Sequence, residues 1–247
     1  MDIETAPNIV YSWGLFNQNI SINQIVEPGY TLCWAAKWDD NSTIHFSSVH
    51  EDGMKKMLNK MHKLLEEADA VVHYNGTRFD MPTLNREFIK YDMDVPTPYH
   101  QIDLYRVVKQ RFKFASNKLD WVCQELGLGY KVHHKGMSLW HDCINGDDKA
   151  WKVMEKYNKQ DVRLLPKLYR KLLPWMKNHP NHALVTTDTR PVCPNCGSVH
   201  VVKKGTEVTS TMQYQRYRCT ACGTPIRGRT NIMTKEKKAG VLIQSKL

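Results

Sequence analysis

No apolar run in this sequence approaches the ~18–20 residues that a membrane-crossing helix needs. Neither a spanning segment nor a membrane partner is therefore expected. The opening, Met1-Asp2-Ile3-Glu4, is acidic and has no basic segment followed by an apolar stretch, so no secretory signal is expected either. No internal repeat is found. Nor does the composition, 41% hydrophobic and 24% charged, fit a disordered or collagen-like chain. Cysteine is sparse and odd in number, at seven, which argues against a disulfide framework and for a reducing, cytoplasmic setting. Acidic residues are outnumbered, 25 against 35 Lys and Arg.

The positive excess is unevenly placed. Residues 181–247 hold 11 basic and 3 acidic residues, whereas the first hundred hold 8 and 14. A near-neutral body with a small basic tail points to two units, the second drawn to a polyanion. A length of 247 residues allows one domain of ordinary size plus a small one. The expected division is a catalytic domain over 1–176, a linker over 177–191, a Cys-containing unit over 192–229 and a basic tail over 230–247. The linker is marked by Pro180, Pro191 and a Thr-Thr-Asp-Thr run. The tail's composition leaves it free to be disordered.

Gly29–Trp38 and Thr43–Val49 read as strands joined by a hairpin turn at Asp39-Asp40-Asn41. Met54, Met57, Leu58, Met61, Leu64 and Leu65 recur at helical spacing. Ala70–Tyr74 reads as a buried strand closed by Asn75-Gly76, with a helix from about Pro82 to Tyr91 and a strand over Tyr99–Leu104. Two or three helical segments follow before Leu126, then a long helix from about Lys149 to Tyr169. A hairpin followed by strand–helix alternation defines an α/β domain with a mixed sheet.

Three sets of carboxylates stand out. Asp2 and Glu4, two apart on a strand, share one face and repel unless a cation lies between them; they could also be a merely polar terminus. Asp80 opens a helix with Pro82 in its first turn, as an N-cap does, and a cap can also be a ligand. Asp161 falls within the apolar stripe of Met154, Tyr157, Leu164, Leu165 and Leu168. There a carboxylate carries a large desolvation cost unless it is paired or metal-bound; a satisfied core Asp is the alternative. Pro166 should kink or restart the helix just beyond. The run Arg106, Lys109, Arg111 and Lys113 faces either phosphates or solvent, and His133-His134 reads as a solvated loop.

In order, Asp2-Ile3-Glu4, Asn75-x3-Phe79-Asp80 and Tyr157-x3-Asp161 resemble the three motifs of the DEDDy-type 3′–5′ exonucleases. Ile102-Asp103-Leu104 and Asn117-Lys118-Leu119-Asp120 resemble segments of the proofreading domains of B-family DNA polymerases. The resemblance covers about 1–175 and is similar in pattern to stand-alone phage exonucleases. It implies a ribonuclease H-like fold and a 3′–5′ exonuclease that hydrolyses single-stranded DNA in DNA replication, in a bacterial or phage-infected cell. It also implies two catalytic Mg²⁺ or Mn²⁺ ions that clamp the attacking water and the leaving oxygen. Asp2 would bridge both ions, Glu4 and Asp161 would complete the first, and Asp80 would hold the second. Tyr157 would orient the water, and Asn75 and Phe79 would contact the terminal nucleotide; Phe79 could equally be core. An exoribonuclease, or a non-catalytic nucleic-acid-binding accessory of a replicative DNA polymerase, are the rival readings.

Cys193-x-x-Cys196-Gly and Cys219-x-x-Cys222-Gly, 22 residues apart, are paired knuckles presenting four thiolates to one structural Zn²⁺. With strands expected over Val199–Lys204 and Met212–Arg218, the unit resembles a zinc ribbon. So small a unit needs such a staple. Lys203, Lys204, Arg216, Arg218, Arg227 and Arg229, interleaved with Tyr214 and Tyr217, suit single-stranded nucleic acid; a protein-docking ribbon is the rival.

Overall fold

Polar residues alternate with Ile3 in the first strand, β1 (Asp2–Thr5), and only Ile3 is buried. A ribbon of two short strands follows, β2 (Ile9–Val10) and β3 (Ile25–Glu27). Then come β4 (Thr31–Lys37) and β5 (Ile44–Ser48), the expected hairpin. The computed structural model describes residues 1–245, which divide into two compact units, Met1–Tyr169 and Arg170 onward.

β4 lies between β1 and β5 and is antiparallel to both. Its first five residues are buried, as in a strand covered on both faces. Short α1 (Val49–Asp52) leads into α2 (Met54–Glu66), then β6 (Ala70–His73), α3 (Asp80–Lys90) and β7 (His100–Asp103). β6 and β7 pair in parallel, the geometry that a helical crossover allows. Met1 N donates to Val72 O at 2.8 Å and links β1 to β6. The antiparallel sheet β1-β4-β5 and the parallel pair β6-β7 together give the mixed strand directions expected, with helices packed against them.

The core splits across the strands. Ile3 and Trp34 pack with Met57, Leu58 and Met61 of α2 and Met81, Leu84 and Phe88 of α3. Cys33 packs instead with Trp151, Met154 and Tyr157 of the last long helix, α7 (Asp148–Leu172). Between these helices lie α4 (Leu104–Arg111), α5 (Leu119–Glu125) and α6 (Met137–Ile144). Glu4 is the register partner of Cys33, so the polar face of β1 belongs with the α7 side of the sheet.

Pro166 does not end α7, contrary to the expectation that the helix could restart there; it is continuous to Leu172. The missing N–H and the ring clash cost ~3 kcal/mol. Leu164, Leu165, Leu168 and Leu172 are buried on both sides of it. At about 1.5–3 kcal/mol each, they hold the helix together across the defect.

The second unit holds an antiparallel meander, β8 (Val201–Val208), β9 (Gln213–Cys219) and β10 (Pro225–Asn231). β10 was not foreseen, because Arg-Gly-Arg-Thr-Asn shows no alternation of apolar and polar residues. The tail beyond it is not featureless: α8 (Lys235–Ala239) begins where the Thr234 side chain accepts from Lys237 N. Among the described residues no helix is long and apolar enough to cross a membrane.

Candidate active site

Asp2 and Glu4 from β1 meet Asp161 from α7. One carboxylate oxygen of each lies within 4.8 Å of the others. The meeting follows from period two on the strand and from the inward face of the helix, where Asp161 is 2% exposed. Asn158, one turn earlier and fully buried, donates through Nδ2 to Asp2 Oδ2 at 2.7 Å and to Asp2 O at 3.3 Å. Burial, then mutual repulsion, raises these acids: Glu4 goes well above the ordinary range and Asp161 to about 7, with Lys131 opposing. Burial also raises Asp2, against the pull of Lys131. Asp161 Oδ1 is buried and has no hydrogen-bond partner. Three crowded carboxylates with an orphaned oxygen fit a hard divalent cation, which takes oxygen ligands.

Asp80 stands beside this trio rather than in it. It does not cap α3: the N-cap position is Phe79, and no side chain caps the helix. Its Oδ1 instead accepts Ile3 N at 3.1 Å, which ties the start of α3 to the backbone of β1 between the two acids. Burial, then the Asp2 charge, pushes it up to about 8.

The turn before Asp80 is shaped from below. Asn75 is left-handed, at φ 68°. Asp103, at the end of β7, accepts the backbone N–H groups of Asn75 at 2.9 Å, Thr77 at 3.3 Å and Tyr105 at 3.1 Å. A Cβ on Gly76 would stand 2.5 Å from Cγ of buried His73, so only glycine fits. Phe79 is 44% exposed, which removes the core alternative and leaves its ring free for a ligand.

Tyr157 lies beside Asp161, as the spacing implied, and is raised to about 12, first by burial and then by Glu4. Its hydroxyl accepts from Lys131 Nζ at 3.1 Å, and the same ammonium pairs with Asp161. Asp161 and Tyr157 outweigh burial and raise Lys131 above its ordinary range. Asp120 fixes this loop by accepting Lys131 N at 2.7 Å. His134, expected to be solvated, stacks edge-on against Tyr157 and Trp140. Sequence reasoning missed Lys131, which carries no signal in a Lys- and His-containing loop. It also missed Asn158, although a polar residue three positions before Asp161 on the apolar face was the same kind of violation. A cleft of about 570 Å³ opens on the site, bounded by Asp2, Asp161, Lys131, Asn75, Tyr105 and Asn117 among others.

In the second unit, Cys193, Cys196, Cys219 and Cys222 bring their sulfurs within 4.8 Å of one another, with two pairs at 3.6 Å. Tetrahedral sulfurs ~2.3 Å from zinc would be separated by about 3.8 Å, so the set fits Zn²⁺. Asn195, buried beneath the first knuckle, donates to Leu173 O at 2.8 Å. The basic residues do not share one face. Tyr214, Arg216 and Arg218, two apart on β9, share one face, and Arg227 pairs with Arg216 and stacks on the Tyr214 ring at 4.4 Å. Lys203 pairs with Tyr217 and so lies on the opposite face; Lys204 sits at a bulge, its carbonyl accepting from Arg216 Nε.

Strands of mixed direction flanked by helices, with carboxylates clustered between β1 and α7 and the family match below, define the class: a hydrolytic nuclease of the ribonuclease H-like fold, with nucleic acid as substrate. More particularly, residues 1–173 match the profile of RNase_H_2, of the RNase H superfamily, and the chain belongs to that superfamily. None of the curated proteins compared with it matches.

Proposed function

We propose that the chain is a 3′–5′ exonuclease acting on single-stranded DNA with two divalent ions, Mg²⁺ or Mn²⁺, and that its second unit is a zinc ribbon that grips the strand. The observation that carries this reading is the convergence of Asp2, Glu4 and Asp161 beside Asp80 and Tyr157. Asp2, Glu4 and Asp161 would hold the metal, with Asp80, tied to Ile3 N beside them, as a further carboxylate ligand. Bound there, divalent ions supply Lewis acidity and the acidification of water.

The chain's own groups do the rest. Tyr157 keeps its proton at neutral pH and orients water through its hydroxyl. Lys131 places a positive charge beside Asp161 and Tyr157, where a phosphate must approach. Exposed Phe79 and left-handed Asn75 receive the terminal nucleotide. A replicative DNA polymerase and a phage-infected or bacterial cytoplasm are the setting this reading implies.

Purified protein incubated with 3′- and 5′-labelled single-stranded DNA and RNA, with Mg²⁺ or EDTA, tests it. Stepwise loss of the 3′ label from DNA, abolished by EDTA, is the expected result. Cleavage of RNA alone would replace the DNA reading with an exoribonuclease. No cleavage of either would leave the polymerase-accessory reading.

A further inference from the structure

Between β1 and β4 the chain runs from Ala6 to Val26 without a single charged residue or histidine. That excursion carries the most exposed aromatic rings of its unit, Trp13 at 100%, Phe16 at 82% and Tyr11 at 75%, with Leu15 at 93% beside them. It is nonetheless built. Ala6 N donates to Tyr30 O at 2.8 Å and Gly29 N to Asn8 Oδ1 at 2.6 Å, closing the stem. A Cβ on Gly29 would stand 2.4 Å from Ala6 O, so the stem's tightness requires glycine. Above it, Tyr11 N and Gln24 Nε2 bridge the two limbs, and Ser12 Oγ and Gln18 Nε2 hold the tip through Gly14 O and Phe16 O. These bonds fix the backbone but bury none of the large apolar side chains.

We infer that this loop is a stacking platform for the bases of a single strand whose end lies in the active site; the inference rests on the nuclease reading above. The loop springs from the strand that bears the carboxylates, two residues past Glu4. Nine residues separate Glu4 from Trp13, a span of at most ~30 Å. That is fewer than ten nucleotides even at the ~3.4 Å stacked rise. A surface without charge gains nothing from phosphates, whereas neutral bases offer π-faces to Trp13, Phe16 and Tyr11 and polar edges to the Asn and Gln side chains.

The experiment compares wild type with the double variant Trp13→Ala/Phe16→Ala, whose exposed rings contribute no burial to folding. Binding is read in EDTA, on an uncleaved 20-nucleotide oligo-dT and on the same strand with abasic sites in the ten nucleotides nearest its 3′ end. Wild type should prefer the complete strand by about tenfold or more, and the variant should bind both strands alike, each aromatic being worth ~1–3 kcal/mol per base. Equal binding of the complete strand by the two proteins would overturn the inference and leave the loop to a protein partner. Self-association of wild type, lost in the variant, would overturn it in favour of a second copy. Hydrolysis of a labelled trinucleotide by wild type is followed separately, so failure of the nuclease reading and failure of the loop inference appear in different arms.

Discussion

Asp161 places a carboxylate where its helix would otherwise bury an aliphatic side chain, and its removal should abolish hydrolysis before it harms folding. Asp161→Ala is expected to lower the rate of strand cleavage by orders of magnitude with the melting temperature little changed or raised, since repulsion with Asp2 and Glu4 is relieved. Wild-type rates in that variant would rule out metal catalysis at this cluster. Tyr157→Phe should be milder, because it removes a hydrogen bond and no ligand. Lys131 is the counter-ion of the metal-free site. Lys131→Met should cost about 2 kcal/mol of stability in EDTA, below the ~3–5 of a fully buried pair, because Lys131 is partly exposed and Asp161 can take up a proton. Mg²⁺ should restore most of that loss in thermal melts. The raised acids also fix the sign of the pH dependence. Asp161 near 7 and Asp80 near 8 in the folded state exceed the unfolded ~3.9. Protonated, they cost nothing; ionised, they must be held in a buried, crowded site. Metal-free stability should therefore be fullest below about pH 4 as far as these groups are concerned, and fall as pH rises through 7 and 8. The stabilisation by Mg²⁺ should grow over the same interval; a melting temperature in EDTA that rises from pH 5 to 8 would contradict this.

At the scale of elements, the turn from Asn75 to Asp80 is the joint on which the site depends. Asp103 accepts two of its backbone N–H groups, those of Asn75 and Thr77, and Gly76 packs on His73 where no Cβ fits. Gly76→Ala should lose roughly 2–3 kcal/mol, the scale of overpacking a filled core, and displace Asp80 from Ile3. Denaturant titration reads the first effect and activity the second. The ribbon strands make a sharper demand. Arg216, Arg218 and Arg227 share a face with Tyr214. Replacing those three with Gln should reduce the slope of log K against log salt for single-stranded DNA by about 2, at ~0.7 per contact. Lys203→Gln alone, on the other face, should change it little.

For the whole molecule, the two metal sites should separate by chelator. Carboxylate-held Mg²⁺ should leave on mild EDTA treatment and activity return on its replacement. Zinc should persist near one equivalent by elemental analysis, since a closed thiolate site is folding energy as well as affinity. Protein purified without chelator and found free of zinc would overturn the ribbon's metal. The charge asymmetry gives the division of labour: a body near neutrality with its own carboxylates needs the basic unit to hold a polyanion. Loss of the unit from about Asp188 onward should raise KM on long strands far more than on a trinucleotide, which is too short to engage both.

The sequence by itself carried the element types, because period two in β1, the continuous apolar run of β4 and period 3.6 in α2 and α7 are local properties of side-chain direction. It singled out Asp161, because charge on an apolar face is visible without coordinates, and the four cysteines, because paired knuckles are; Asp2, Glu4, Asp80 and Tyr157 stood out only through the order of motifs that the resemblance supplies. It carried neither the partner of Asp80, which binds the backbone of Ile3 seventy-seven residues away instead of capping its own helix, nor the survival of α7 through Pro166, which burial on both sides of the proline decides. Lys131 and Asp103 enter the site only through loops closed by Asp120 and by the end of β7. The exposure of Phe79 and of Trp13 also had to be seen in the tertiary structure, since an aromatic ring reads as core in any one-dimensional pattern. Local chemistry is written along the chain; which groups stand opposite each other is decided by packing between elements distant in sequence.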